Sequence, residues 1–305
     1  MKFDPFEPGP FSVSTRSGLA IDRDRDDRQL PFEVWYPKGG GVERLPLVLY
    51  GHASGGHRRE SSFLCIHLAS HGFVVAAADH TGNTAADFVA RAKGIGAGEA
   101  VTTAESDARM RQIIADRVPD LRFLLNEMLQ RAPADVSERI DRERVGLIGL
   151  SFGGWAALST LEVDDRFGAV LALAPAGNSK PLPGIIPATL TFAWKREVPA
   201  LFLVAERDRF TPLPGQYELF ARTPSQKKMF ILRGADHQHF ADQIDEPGFC
   251  SPEHAHLFTR GLGLGHFEAA LKGTSAAARF MTDDPAAILK ERGVHAIDYG
   301  DGAPD

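Results

Sequence analysis

The sequence contains few cysteines and no long run of apolar residues. Its two cysteines, Cys65 and Cys250, could form at most one disulfide, whereas small secreted scaffolds carry several. The N-terminal stretch MKFDPFEPGPFSV lacks the apolar core of a signal peptide. No apolar run reaches the roughly 18 residues that a membrane-spanning helix needs. We therefore expect a cytoplasmic protein without a membrane span.

The sequence also lacks an excess of basic residues. Its 34 Lys and Arg face 40 Asp and Glu, which gives a net charge of -6 at pH 7. Nucleic acids and anionic membranes bind clustered Lys and Arg, so neither is an expected partner. The charge run at 22–28 has mixed signs and lies between two strand-like segments, and we interpret it as a hairpin turn.

What the sequence does contain is a series of short, continuous apolar runs that alternate with helix-like segments. Such runs are typical of strands buried on both faces of a parallel sheet. They are residues 45–51, 72–79, 144–150, 168–175, 198–205 and 227–234. The pattern predicts one α/β domain over residues 1–305, with helices on both faces of a mostly parallel sheet. The carboxyl ends of the strands then share one edge, where ligands bind.

One of these strands ends in a motif that is typical of a catalytic serine. Gly149-Leu150-Ser151-Phe152-Gly153 fits Gly-x-Ser-x-Gly, follows a buried strand and begins a helix-like segment. This is the setting of a nucleophile elbow, in which a strained turn exposes the serine hydroxyl and the glycines leave room for neighbouring backbone. Ser151 is therefore the candidate nucleophile. The alternative is an ordinary strand-to-helix turn.

A serine nucleophile needs a base to take its proton and a third group to orient that base. In elbow enzymes the chain order is serine, acid, histidine. Asp208 follows the strand at 198–205, with Glu206 as its rival, and His237 follows the next strand, with His239 as its rival. All four residues are expected at the same sheet edge as Ser151, where either rival could assist or replace the preferred residue.

An acyl-transfer site also needs N–H donors for the oxyanion. The backbone N–H of Phe152 directly follows the nucleophile and is the first candidate. The loop at 52–56, rich in small residues, follows the strand at 45–51, and the N–H of Ser54 is the second candidate. We thus expect Ser54 and Phe152 to form the oxyanion hole.

The motifs GHASGGHR, RVGLIGLSFGG, AERDRFTP and GADHQHF resemble those of the α/β-hydrolase superfamily. The likeness is closest to its serine esterase branch, similar to platelet-activating-factor acetylhydrolase and dienelactone-hydrolase-like proteins, and it spans residues 50 to about 240. The resemblance implies an α/β-hydrolase fold with a sheet of about eight strands. It also implies a Ser151-His237-Asp208 triad, an acyl-enzyme intermediate, no cofactor, and a small-molecule ester or lactone as substrate.

Relatives of this kind commonly carry a cap between two late strands, which here corresponds to a short insertion at about 176–197. Its apolar residues include Ile185, Phe192 and Trp194. We expect these three residues to line the pocket for the acyl or leaving group. The alternative is that they pack as part of the core.

Three other functions remain open at this point. An amidase or peptidase would use the same triad and oxyanion hole. A ligand-binding homologue on the same fold would lack catalysis. The pairs His237-x-His239 and His254-x-His256 have the spacing of metal ligands, but no further motif supports them, and we expect no metal.

Two glycine-rich patches interrupt the alternation. The patch at 94–98 lacks the spacing of a dinucleotide-binding motif, and we predict a mobile loop there. The patch at 261–265 lies within a helix-like region, where we predict close packing.

Overall fold

A computed structural model describes residues 3–39, 44–94, 103–132, 134–245 and 248–300. In this part of the chain, nine strands form one sheet. The strands are β1 (Val13–Asp22), β2 (Arg28–Pro37), β3 (Leu45–Gly51), β4 (Val74–Ala78), β5 (Ile140–Leu150), β6 (Phe167–Leu173), β7 (Ala200–Ala205), β8 (Lys227–Leu232) and β9 (Ala296–Asp298). The helices are α1 (Ser62–Ser70), α2 (Ala85–Gly94), α3 (Thr103–Gln130), α4 (Ala134–Ser137), α5 (Phe152–Thr160), α6 (Leu213–Arg222), α7 (Pro252–Lys272), α8 (Ser275–Thr282) and α9 (Pro285–Glu291), with a 3-10 turn at His237–Phe240.

The strands follow the order β1-β2-β4-β3-β5-β6-β7-β8-β9. Six neighbouring strands of this order, β4, β3, β5, β6, β7 and β8, are parallel and correspond to the six apolar runs. They confirm the predicted α/β-hydrolase sheet. β1 and β2 form an antiparallel hairpin across the charged turn, as predicted. At the carboxyl edge, Gly51 of β3 pairs with Gly149 of β5, so the loops that follow these two strands begin side by side.

Side chains of the central strands alternate between two apolar cores, one on each face of the sheet. In β3, Leu47 and Leu49 join the core covered by α3, α5 and α6, whereas Val48 and Tyr50 join the core covered by α1, α7 and α8. All four side chains are fully buried. Each fully buried apolar side chain of this size contributes about 1.5–3 kcal/mol to stability. Burial on both faces explains why these strands are continuous apolar runs.

The sequence pattern did not predict α8, α9 or the short edge strand β9, which pairs antiparallel with β8. Of these elements, α8 packs against α7, where the glycines at 261–265 allow close contact, whereas α9 packs against α8 and β9. A Cβ on Gly261 would overlap the ring of Phe6, and one on Gly265 would lie 2.7 Å from the ring of Phe280. The predicted close packing of this glycine patch is therefore confirmed.

Three further sequence predictions concern regions away from the sheet. Gly94, the first residue of the glycine patch at 94–98, ends the helix α2, while residues 95–98, where we predict a mobile loop, lie outside the described residues. Cys65 and Cys250 are both buried and both free thiols. Of the helices that the structure describes, none combines the length and the apolar character needed to cross a bilayer.

His67 of α1 is one of several histidines buried in this fold. Its Nε2–H donates to the carbonyl oxygen of Pro5 at 2.9 Å, which ties the N-terminal segment to α1. The pKa of His67 is lowered to about 3, mainly by burial and in part by the neighbouring His71, against the opposing effect of the Pro5 carbonyl. The folded chain therefore holds this imidazole neutral well below the usual pKa of histidine, near 6.5.

We expect the free energy of unfolding to fall as the pH drops below about 6.5, because the unfolded chain then binds protons that the folded chain excludes. His67 alone contributes a slope of up to about 1.4 kcal/mol per pH unit. His67→Gln, whose amide can still donate to Pro5, should reduce the slope of the free energy of unfolding against pH by up to that amount between roughly pH 6 and 4. Urea unfolding at stepped pH measures the slope, and an unchanged slope in the variant contradicts this assignment.

Candidate active site

Ser151 lies at the tight turn between β5 and α5. Its backbone has φ 57° and ψ -115°, a conformation that residues other than glycine rarely adopt. Hydrogen bonds hold the turn: the N–H of Ser151 donates to Leu173 at 2.8 Å, and its carbonyl accepts from Ala176 at 2.9 Å. Strain of this kind costs about 1–3 kcal/mol and is concentrated at functional sites.

The glycines around Ser151 are required by contacts between backbones. A Cβ on Gly149 would overlap the carbonyl of Gly153, and a Cβ on Gly153 would overlap the carbonyl of Gly51 in the neighbouring strand. Both overlaps involve backbone, which cannot move aside as a flexible side chain can. The motif therefore brings α5 directly against the ends of β3 and β5.

Asp208 and His237 come together at the same sheet edge. Asp208 lies in the loop after β7 and His237 begins the 3-10 turn after β8, with 2.6 Å between His237 Nδ1 and Asp208 Oδ2. Asp208 also accepts hydrogen bonds from the N–H groups of Phe210 and Thr211 and from the Thr211 hydroxyl, each at 2.8 Å. The buried carboxylate thus has a full set of donors and is held in one orientation.

The electrostatics keep Asp208 ionised. Burial raises the pKa of this carboxyl, but the hydrogen bond from His237, the attraction of its ring when protonated, and the hydrogen bonds from Thr211 outweigh burial, so the pKa lies below its ordinary value. An ionised Asp208 accepts the Nδ1–H of His237, which leaves Nε2 of the neutral imidazole as a proton acceptor. His237 can therefore serve as a base on the side away from Asp208.

Glu206 and His239, the two alternatives, have other contacts. Glu206 accepts the N–H of Gly234 at 2.8 Å and lies 3.3 Å from Arg233. His239 is buried, with Nε2 3.0 Å from the carbonyl of Cys250 and Nδ1 accepting from the N–H of Asp236 at 3.0 Å. Neither side chain lines the cavity that Ser151 and His237 share. The geometry favours Asp208 and His237.

The loop at 52–56 lies beside the elbow, and its N–H groups have different partners. The N–H of Ala53 donates to Glu60 Oε2 at 2.8 Å, and the N–H of Gly55 donates to the carbonyl of Asn83 at 3.1 Å. By contrast, the N–H groups of Ser54 and Phe152 have no acceptor within the described residues. Both residues line the cavity, so two free donors are available there.

The cavity in front of Ser151 has a volume of about 700 Å³, enough for a small organic ligand. Its apolar walls include Leu150, Ile185, Ile186 and Phe210. Phe210 is 52% exposed, and its ring centroid lies 5.2 Å from that of His237, which places an aromatic ring at the rim. Leu150 thus leaves the floor beside the nucleophile apolar.

The prediction that Phe192 and Trp194 line the pocket is wrong, whereas Ile185 does line it. The N–H of Phe192 donates to Glu162 at 2.7 Å, and the indole N–H of Trp194 donates to the Leu158 carbonyl at 3.1 Å. The Trp194 indole therefore packs back onto α5. Phe192 is held by its backbone at the turn after α5, and its ring centroid lies 5.2 Å from the guanidinium carbon of Arg222. Of the insertion at 176–197, only Ala176 and residues 184–186 reach the cavity.

The histidine pairs do not form a metal site. No group of three or more His, Cys, Asp or Glu side chains with metal-binding geometry occurs in the described ranges. His256 instead stacks on Phe63, with ring centroids 3.8 Å apart, and its Nε2 lies 2.9 Å from the carbonyl of Ala241.

Sequence reasoning missed a buried arginine beside the site. Arg117 of α3 is 1% exposed and donates to the carbonyls of His52 and Ala53. Its position carried a signal, because it follows Ile114 by three residues and precedes Leu121 by four. It therefore lies on the apolar face of the helix, where a charge needs a specific partner.

Comparisons with known proteins identify a family to which the sequence is similar. The sequence matches the family described as platelet-activating factor acetylhydrolase, isoform II, over residues 34–113 and 120–246, more than half of the chain. The platelet-activating factor acetylhydrolase of Cavia porcellus is 27% identical over 222 residues, which cover 66% of this chain and 49% of the relative. Cutinase est1 of Thermobifida alba is 26% identical over 238 residues, which cover 77% of this chain and 66% of the relative.

The chain spans about half the length of the acetylhydrolases that it matches. The matched residues contain β3 to β8, the elbow and both loops that carry Asp208 and His237. The resemblance inferred from the motifs is confirmed, and the chain belongs to the platelet-activating factor acetylhydrolase, isoform II, family.

Proposed function

We propose that the chain is a serine hydrolase that cleaves a carboxylic ester or lactone through Ser151, His237 and Asp208. One observation carries the proposal: the 2.6 Å contact between His237 and Asp208 lies at the cavity that the strained Ser151 also lines. Acid, base and nucleophile come from three separate loops at one sheet edge, as triad chemistry requires. The names acetylhydrolase and cutinase, which belong to the relatives, both denote ester hydrolases and favour an ester over an amide.

In the proposed mechanism, the Ser151 hydroxyl oxygen attacks the ester carbonyl as His237 Nε2 takes the hydroxyl proton. The carbonyl oxygen becomes an oxyanion that accepts from the N–H groups of Ser54 and Phe152. His237 then gives its proton to the departing alkoxide, which leaves an acyl group on Ser151. Water attacks this ester with His237 again as base, and the acid product leaves with Ser151 restored.

Asp208 has two roles in this scheme. Its hydrogen bond fixes the imidazole with the proton on Nδ1, so that Nε2 is free to accept. Its negative charge also stabilises the imidazolium that forms after the first proton transfer. The donors from Phe210 and Thr211 hold the carboxylate in place during both steps.

A fluorophosphonate probe tests the proposed nucleophile directly. We expect stoichiometric labelling of the intact chain, with the adduct mapped by mass spectrometry to Ser151 and absent in Ser151→Ala. The same protein should hydrolyse short p-nitrophenyl esters, and parallel assays with lactones and anilides separate ester and lactone cleavage from amide cleavage. A folded parent chain that is not labelled contradicts the proposal and favours the non-catalytic homologue. Labelling of Ser151→Ala contradicts it as well and indicates a different nucleophile.

Asp208→Asn should lower kcat/KM for an ester by about 10³- to 10⁴-fold, because an amide at this position favours the wrong tautomer of His237. Glu206→Gln is the matched control, since Glu206 follows the same strand but contacts Gly234 and Arg233 outside the cavity. Its kcat/KM should stay within about threefold of the parent value. If Glu206→Gln caused the larger loss, the orienting acid would be Glu206.

The size of the acyl group accepted should depend on Ile185 and not on Trp194. Ile185→Ala enlarges the cavity by removing an apolar wall, and we expect the ratio of kcat/KM for octanoate over acetate esters to change by about 10-fold. Trp194→Ala is the control, because its indole packs on α5, and it should lower stability by about 3–5 kcal/mol without shifting the ratio. A shift with Trp194→Ala alone would place this tryptophan in the pocket.

A further inference from the structure

Arg117 is a buried cation without a carboxylate in direct contact among the described residues. Its Nη1–H donates to the carbonyl of His52 at 2.5 Å, and Nη2–H donates to the carbonyl of Ala53 at 3.1 Å and to the side-chain oxygen of Asn83. Burying a charge is costly unless it has a specific partner. The fold directs this charge onto the backbone of one loop, the loop expected to carry an oxyanion donor.

The carbonyl of Ala53 and the N–H of Ser54 belong to the same peptide group. No cis peptide bond occurs in the described chain, so this N–H points away from the carbonyl and away from Arg117. The Ala53 carbonyl also lies 2.6 Å from His52 Nδ1 and accepts from the N–H of Gly56 at 3.1 Å. Hydrogen bonds to a carbonyl, above all from a cation, polarise the peptide and strengthen its N–H as a donor.

The preceding peptide group, between His52 and Ala53, has a hydrogen-bond partner on each side. The carbonyl of His52 accepts from Arg117, and the N–H of Ala53 donates to Glu60 Oε2 at 2.8 Å. Arg117 and Glu60 thus hold this peptide from opposite ends. The Ser54 N–H is the next along the loop and has no acceptor within the described residues, so it is free for a ligand.

Arg117 also touches the residue that carries the second donor. Its guanidinium carbon lies 4.7 Å from the centroid of the Phe152 ring, a cation-π contact. The Phe152 ring also stacks on Trp155, with centroids 5.0 Å apart and nearly parallel planes. One cation therefore contacts both elements, the loop at 52–56 and the start of α5, that supply the free N–H groups.

We propose that Arg117 is a positioning residue for the oxyanion hole: it orients and polarises the peptide group between Ala53 and Ser54 and fixes that loop against Phe152. The inference rests on the proposed serine hydrolase function and deepens it. Arg117 does not line the cavity, so it acts through the Ser54 N–H and not on the substrate. Its positive charge also favours the negative charge that develops on the carbonyl oxygen.

Two features support a charged guanidinium in this role. The pKa of Arg117 is lowered to about 9, because the effect of burial exceeds the opposing effects of the nearby Asp120 and Glu60, and the group keeps its proton at neutral pH. The planar fork of an arginine is also suited to span two successive carbonyls, which the single ammonium of a lysine cannot do with the same geometry. Arginine and lysine are therefore distinguishable at this position.

The test compares Arg117→Met and Arg117→Lys with the parent chain. Loss of one oxyanion donor costs about 10²- to 10³-fold in kcat, and we expect Arg117→Met to lose about 10- to 100-fold because it weakens the donor without removing it. KM should change by less than about threefold, since the effect arises in the transition state. Arg117→Lys keeps the charge, so its kcat should lie between those of the parent chain and Arg117→Met.

A trifluoromethyl ketone supplies a readout that a general structural role would not move. It forms a tetrahedral adduct with a serine nucleophile and carries an oxyanion, so its inhibition constant should rise in parallel with the fall in kcat across the variants. Arg139→Met is the matched control, because Arg139 also donates to two backbone carbonyls, those of Pro37 and Gly39, at the opposite edge of the sheet. Arg139→Met should leave kcat and the inhibition constant of the ketone unchanged.

The outcomes separate the two proposals. If the parent chain is labelled at Ser151 but folded Arg117→Met retains its kcat and its affinity for the ketone, the inference about Arg117 is overturned alone. If the folded parent chain is not labelled, both proposals fail. Equal losses in Arg117→Met and Arg139→Met, with KM and thermal midpoint shifting together, would assign Arg117 to stability only.

Folding of the variants does not limit the test. If Arg117→Met does not fold, Arg117→Lys decides alone, and a measurement on the unaltered chain accompanies it. In that chain the amide proton of Ser54 should move downfield in the NMR spectrum when the ketone adduct forms. An unchanged Ser54 resonance would contradict the proposed donor whatever the variants do.

Discussion

The site depends on one steric constraint, the direct contact of three backbone segments at Gly51, Gly149 and Gly153. A side chain on either of the last two glycines would overlap a carbonyl oxygen, so the approach of α5 to β3 and β5 requires the absence of Cβ. That approach forces Ser151 into its positive φ and exposes its hydroxyl. The same contact brings the loop at 52–56 beside Phe152. Nucleophile and oxyanion donors are therefore products of one packing arrangement, and strain at Ser151 is retained because its neighbours fix it from both sides.

The charges around the cavity fall into two groups that correspond to two steps of the proposed reaction. Asp208, held by backbone and hydroxyl donors, lies behind His237 and stabilises positive charge on the imidazole. Arg117 lies behind the loop at 52–56 and, in its proposed role, stabilises negative charge on the carbonyl oxygen of the substrate. Both ions are buried, so water screens their electrostatic fields only weakly. Burial raises the pKa of Glu60, which accepts a hydrogen bond from the N–H of Ala53. The N–H of Ser54 is then the donor proposed to bind the substrate.

The sequence predicted the parts of the site that depend on local pattern and on sheet topology. The elbow could be recognised because its glycines and its position after a strand are local, and Asp208 and His237 because each follows a strand whose end lies at a known edge. The choice against Glu206 and His239 needed coordinates, since a shift of two residues in a loop changes which side chain reaches the cavity. Phe192 and Trp194 were misplaced for a related reason: apolar residues in an insertion pack equally well on substrate or on a neighbouring helix, and the hydrogen bonds to Glu162 and Leu158 that decide between them are long-range.

The fold places the proposed catalytic residues and most other residues of the cavity wall on different parts of the chain. Ser151, Asp208 and His237 are attached to the ends of buried strands, where packing on both faces limits movement and substitution. The cavity residues proposed to contact an acyl or alcohol group, among them Ile185 and Phe210, lie on connections between the strands and helices. Because Phe192 and Trp194 secure the insertion on α5, residues 184–186 can vary without loosening it. We therefore expect changes in these loops to alter substrate preference, and changes at Gly153 or Arg117 to alter the proposed reacting centre.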